Sequence, residues 1–117
     1  MKTKIAVLGS TGSIGQSLLK IISKDKQKFK IILLTADKNF KIVLNQARKF
    51  DVRNIIITDK KYYQIAKSKN KSSNIKIYNN FENLQKIFPK KIDYVMSSIV
   101  GLDGLIPTFK IIKFTKK

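Results

Sequence analysis

The chain contains no cysteine and no histidine. Within these residues that excludes disulfides, thiolate–zinc sites, cysteine nucleophiles and histidine general bases. No apolar stretch approaches the ~18 residues that a membrane-spanning helix needs, so no membrane segment is expected. Acidic residues are scarce, seven against 25 basic ones, which leaves a net charge of +18. Arginine is nearly missing as well: 23 of the basic residues are lysine, and only Arg48 and Arg53 are not. Glycine is equally sparse, yet three of the five glycines fall in one short turn, at positions 9, 12 and 15.

A length of 117 residues with 43% hydrophobic content suits one domain with a real core. Strand-like sequence begins within a few residues of Met1. The expectation is therefore that no signal or transit peptide precedes the fold. Together with the lack of cysteine this fits a cytoplasmic protein.

A charge of +18 raises the question of a polyanionic partner. The kind of base argues against specific nucleic-acid recognition. Arginine carries the planar fork that reads base edges and grips phosphates, whereas lysine is a point charge. The lysines also run from Lys2 to Lys117 rather than forming one stripe. A solvated basic surface is the preferred reading, and a basic nucleic-acid-binding domain is the alternative from a different class.

The informative turn is Gly9-Ser10-Thr11-Gly12-Ser13-Ile14-Gly15. The apolar run Ile5-Ala6-Val7-Leu8 precedes it, and Leu18, Leu19, Ile21 and Ile22 follow at helical spacing. A glycine-rich turn that ends a strand and opens a helix leaves backbone N–H groups at a positive helix end, where a phosphate can sit. Gly9 can make the tight exit, Gly12 can admit a pyrophosphate, and Gly15 can let the helix pack close to the sheet. Ser10, Thr11 and Ser13 add hydroxyls that can donate to phosphate oxygens or cap the helix. Three glycines exceed what a capped βα turn requires.

Strand and helix patterns alternate throughout. Strands are expected at residues 4–8, 30–35, 54–58, 74–78 and 92–97, the fourth more exposed because it alternates. Helices are expected at 13–24, 39–50, 59–70 (capped by Asp59), 80–88 (closed by Pro89) and 103–114. Residues 67–74 read as a low-complexity surface loop. Continuous apolar strands between amphipathic helices imply an α/β fold with a mostly parallel sheet covered on both faces. Right-handed crossovers make it doubly wound and Rossmann-like. Five strands are readable where such units commonly have about six. Residues 1–117 are thus expected to be an NAD(P)-binding domain forming the front piece of a longer protein.

Three segments together resemble the 1-deoxy-D-xylulose 5-phosphate reductoisomerase family: Ile5 to Gly15, Ala36-Asp37-Lys38-Asn39, and Ile99-Val100-Gly101-Leu102-Asp103-Gly104-Leu105-Ile106-Pro107-Thr108. The family has Ala-Gly-Lys-Asn at the second place and Ile-Val-Gly-x-x-Gly-Leu-x-Pro-Thr at the third. The resemblance implies rearrangement of 1-deoxy-D-xylulose 5-phosphate, a small sugar phosphate, and reduction of the resulting aldehyde by NADPH in isoprenoid biosynthesis. It also implies Mg or Mn in the full-length enzyme, with ligands later in the chain, and a homodimer. No catalytic and no metal residue is assigned among these residues. Thr11, Gly12, Ser13 and Ile14 would lie at the pyrophosphate, and Asp37, Lys38 and Asn39 near the adenosine ribose.

Asp37 stands where the family has glycine. An acid at the end of the second strand commonly binds a ribose 2′-hydroxyl and repels a 2′-phosphate, so Asp37 favours NAD while Lys38 and Asn39 favour NADP. NADPH remains the expectation, with Asp37 turned outward to cap the next helix. Ser97, Ser98 and Asp103 also depart from the family's run. The runner-up enzyme reading is another NAD(P)-dependent oxidoreductase with a G-x-x-G-x-x-G turn, such as an extended short-chain or a semialdehyde dehydrogenase. Tyr63 and Lys67 match the Tyr-x-x-x-Lys pair of short-chain dehydrogenases. They follow the third strand rather than the fifth, so packing of Tyr62 and Tyr63 on the sheet is the expected role.

If the lysine surface is only solvated, binding to duplex DNA will be weak and indifferent to sequence. It will be lost by about 200 mM salt, because phosphate neutralisation is the whole of it. Fluorescence anisotropy across a salt series measures this, and tight sequence-selective binding at physiological salt contradicts it.

Overall fold

The structure is a computed structural model that describes residues 2–70, 74–82, 84–88, 90–97 and 115. The helix expected at 103–114, the third family-like segment, Pro89 and Ser98 lie outside the described residues.

Strand β1 (Thr3–Leu8) leads through the glycine turn into α1 (Ser13–Ser23). A single 3-10 turn at Lys26–Lys28 precedes β2 (Phe29–Ala36). Then come α2 (Phe40–Phe50), β3 (Asn54–Ile57), α3 (Lys60–Lys69), β4 (Lys76–Tyr78), α4 (Leu84–Ile87) and β5 (Tyr94–Ser97). All pairings are parallel and the strand order is β4-β3-β2-β1-β5. The chain winds from β1 outward to the β4 edge, then crosses back to the other side of β1. That reversal puts the helices on two faces, as right-handed crossovers require.

The two cores follow from this winding. One face of the sheet, with Ile5, Val7, Ile31, Leu34, Ile55 and Ile57, packs against α1, α2 and α3 through residues such as Leu19, Ile22, Val43, Ala47 and Ala66. The other face, with Ala6, Leu8, Leu33 and Ile56, is covered by Phe81, Leu84, Ile87 and Phe88 around α4. Strands buried on both faces read as unbroken apolar runs, and Ile5 to Leu8 are fully buried. Strand β4 lies at the sheet edge and none of its three residues is fully buried, in keeping with its alternating sequence.

Three departures from the sequence expectation have local causes. Helix α4 is only Leu84–Ile87, because Asn80 Oδ1 accepts from the Glu82 N–H at 3.0 Å and folds residues 80–82 into a turn. Helix α3 runs to Lys69, as the helix expected at 59–70 requires, so the front of the overlapping loop expected at 67–74 is helical. Strand β2 carries an irregularity: Ile5 pairs with Ile31 but Ala6 pairs with Leu33, so Ile32 has no partner on β1.

Asp59 caps α3 as its sequence suggests, with its side chain accepting from the Tyr62 N–H at 3.1 Å. Replacing Asp59 by Ala is expected to cost about 1 kcal/mol in urea denaturation, with Asp59→Asn retaining most of it.

Candidate functional site

The glycine turn is built on the carboxyl end of β1, where Gly9 adopts a left-handed φ of 72°. Its N–H donates to Thr35 Oγ1 at 2.9 Å, and the Ser10 N–H donates to the Thr35 carbonyl at 3.0 Å. The turn is thereby stitched to the end of β2. Ser10 is buried, and its hydroxyl donates to Gln46 Oε1 at 2.8 Å while Gln46 Nε2 donates back to the Ser10 carbonyl at 2.9 Å. Ser10 is therefore turned into the protein, where Gln46 of α2 clamps it, and its hydroxyl is not offered to a ligand. This corrects the sequence expectation for Ser10.

Gly15 lies in the first turn of α1 and is buried. A Cβ there would collide with the Gly9 carbonyl oxygen and stand 2.6 Å from Ser10 Cα. Close approach of helix to strand is thus a backbone contact that only glycine permits. Gly12 differs. It is the N-cap of α1 at φ −74° and ψ 171°, an extended conformation open to any residue. Among the described residues a Cβ at Gly12 would touch only the Gly9 carbonyl oxygen, at an ordinary 3.7 Å. The left-handed demand of the turn falls on Gly9, not on Gly12.

Among the described residues no side chain caps α1, and no acid lies in its first turn. The Ser13 and Ile14 N–H groups have no hydrogen-bond partner among the described residues. Ser13 is exposed, Thr11 is half-buried, and Ile14 is 58% exposed, so the fold itself does not use this isoleucine. A helix end with unpaired donors, aligned with the helix dipole, attracts an anion.

The second expected group leaves the adjacent strand. Asp37, Lys38 and Asn39 follow the end of β2 directly and all three are exposed. Parallel neighbours lie about 4.8 Å apart, so both segments emerge side by side on the carboxyl edge of the sheet. This is also where the strand order reverses, beside β1, the place at which open α/β sheets bind ligands. Asn39 is the N-cap of α2 and makes no side-chain capping bond. Asp37 does not cap that helix either. Its Oδ1 accepts from Thr58 Oγ1 at 2.7 Å, which holds the carboxylate towards the end of β3.

Tyr63 and Lys67 do meet, with Lys67 Nζ 3.3 Å from the Tyr63 hydroxyl. They sit on α3, between β3 and the edge strand β4, away from the reversal beside β1. Tyr62 and Tyr63 pack against the core on that side. Three residues that position the site have little sequence signal: Thr35, Gln46 and Thr58. Only Thr35 could be noticed, as a polar residue inside the apolar run Ile31 to Ala36.

The two glycines predict opposite outcomes. Gly15→Ala is expected to destabilise by about 1–3 kcal/mol through overpacking. Gly12→Ala should stay within about 1 kcal/mol of the parent. Denaturation midpoints of both variants measure the difference, and equal costs would contradict the packing described here.

A model of the 1-deoxy-D-xylulose 5-phosphate reductoisomerase family matches residues 5–117. The Pelagibacter ubique reductoisomerase is 53% identical over 115 residues, covering 97% of this chain and 30% of that protein. The Thermodesulfovibrio yellowstonii enzyme is 38% identical over 111 residues, covering 94% and 29%. Among solved structures, the Zymomonas mobilis reductoisomerase in complex with NADPH superposes with a TM-score of 0.84 at 28% identity, covering 97% of this chain and 30% of that one. A reductoisomerase in complex with NADPH, fosmidomycin and magnesium superposes with a TM-score of 0.80 at 30% identity, covering 92% and 27%. The chain spans about 30% of the length of these relatives, and it belongs to the 1-deoxy-D-xylulose 5-phosphate reductoisomerase family.

Proposed function

We propose that this chain is the NADPH-binding portion of a 1-deoxy-D-xylulose 5-phosphate reductoisomerase. The observation that carries the proposal is the uncapped start of α1, with a glycine at its N-cap where a Cβ would meet nothing closer than 3.7 Å among the described residues, next to Lys38 and Asn39, which follow the neighbouring strand. These residues fit a dinucleotide. Thr11, Gly12, Ser13 and Ile14 would receive the pyrophosphate, the Ser13 and Ile14 N–H groups donating to its oxygens and Ile14 offering apolar surface. Lys38 and Asn39 would meet the 2′-phosphate of the adenosine ribose, with Asp37 beside it. NADPH would supply the hydride for reduction of a sugar-phosphate aldehyde.

The described residues do not fit the divalent metal that the family's chemistry implies. No three acidic side chains come together among them, and no metal chemistry is assigned to these residues. In this reading residues 1–117 are one dinucleotide-binding domain, and catalytic groups, Mg or Mn ligands and the sugar-phosphate site belong to other parts of a longer protein. A homodimer in the cytoplasm completes the proposal. No helix among the described residues is long and apolar enough to cross a membrane.

Fluorescence titration of the chain with NADPH and NADH tests the reading, with tighter binding of NADPH expected. Gly12→Val should remove NADPH binding, because its side chain would fill the space above the N-cap, while circular dichroism and denaturation stay close to the parent. A Gly12→Val chain that binds NADPH normally would contradict the site, and a parent chain that binds neither nucleotide would contradict the function.

A further inference from the structure

The end of β2 carries a conflict that the fold resolves in its own way. Asp37 is the kind of residue that accepts a ribose 2′-hydroxyl and repels a 2′-phosphate, while Lys38 next to it attracts that phosphate. Which one governs depends on where the Asp37 carboxylate is held. Its Oδ1 accepts from Thr58 Oγ1 at 2.7 Å. Thr58 directly follows β3, which lies on the side of β2 away from β1 and from the glycine turn.

Thr58 is in turn fixed by its own backbone. Its N–H donates to the Ala36 carbonyl at 3.0 Å, and its carbonyl accepts from Asn79 Nδ2 at 3.2 Å. The Asp59 N–H donates to the Asp37 carbonyl at 3.1 Å, so the ends of β2 and β3 are strapped together on both sides of the side-chain bond. The hydroxyl that holds Asp37 is thus presented from a rigid position. A hydrogen bond to a charged group is also stronger than a neutral one.

We propose that Thr58 sets the cofactor preference of this chain. By holding the Asp37 carboxylate on the β3 side, it withdraws the acid that would select a 2′-hydroxyl and leaves Lys38 to receive a 2′-phosphate. The inference rests on the dinucleotide reading above and adds a positioning residue to it. Thr58 acts through Asp37, and its signature is a change in the ratio of two affinities rather than a general loss of binding.

The test is a set of titrations with NADPH and NADH on the parent chain, Thr58→Val, Thr58→Ser, and Asp37→Ala with and without Thr58→Val. Circular dichroism confirms that each variant folds, as expected for exposed positions. Thr58→Val keeps the shape of the side chain but frees the carboxylate, and should lower the preference for NADPH over NADH about tenfold. Thr58→Ser keeps the hydroxyl and should keep the preference. Adding Asp37→Ala to Thr58→Val should restore it, because the freed charge is gone. A parent that favours NADPH with an unchanged ratio in Thr58→Val overturns this inference alone. So does an equal loss of both affinities, or a parent that favours NADH. A parent that binds neither nucleotide overturns the dinucleotide reading together with this inference.

Discussion

At Gly15 a single added carbon would stand 2.6 Å from the backbone of Ser10, and most of the carboxyl edge of the sheet depends on that contact. Because the first turn of α1 rests directly on the turn before it, Gly9 must leave β1 in a left-handed conformation and Ser10 must enter the protein. A buried serine needs partners, and Thr35 and Gln46 supply them. Among the described residues no buried side-chain polar atom is left without a hydrogen bond. The helix start is thus aimed by backbone packing and polar stitching, and no side chain is spent on capping it. Among the described residues the Ser13 and Ile14 N–H groups have no partner at the edge where the strand order reverses.

The architecture was legible from the sequence because its determinants are local. Apolar runs such as Ile55-Ile56-Ile57 mark strands buried on both faces, and the alternation of β4 marks an edge. The spacing of Phe40, Val43, Leu44 and Ala47 gives the buried face of α2. Asp59 announces a helix start and is one. The parallel order follows from alternation and crossover handedness, with few other solutions available. The strand–turn–helix geometry of the glycine turn was legible for the same reason, since strand, glycines and helix lie next to one another in the chain.

What could not be read depends on groups far apart in sequence. Ser10 and Gln46 are 36 positions apart, and Asp37 and Thr58 are 21 apart. Nothing in the local pattern says that Ser10 turns inward while Ser13 stays exposed, or that Asp37 reaches across to the next strand instead of capping α2. The shortened α4 has the same origin in competition: Asn80 offers the backbone a turn where apolar periodicity alone suggests a helix. Gly12, expected to admit a pyrophosphate, has ordinary backbone angles, and a Cβ there would meet the Gly9 carbonyl oxygen at no closer than 3.7 Å.

The unpaired Ile32 in β2 divides that strand into two segments with separate phases. Below it, residues 29–31 pair with residues 3–5 of β1. Above it, Leu33 and Leu34 pair with Ala6 and Val7, and Leu33 to Ala36 pair with β3. A strand normally cannot gain or lose one residue without exchanging its inward and outward faces. Here the ladder does not count Ile32, so removing it would leave Ile31, Leu33 and Leu34 in regular alternation. Loss of that one residue would leave the pairing on either side of it in phase. The face that each residue from Leu33 onward presents would be preserved, including Thr35, which holds the turn, and the approach to Asp37. The carboxyl edge of the sheet is therefore insulated from the loss of this one residue lower in its own strand.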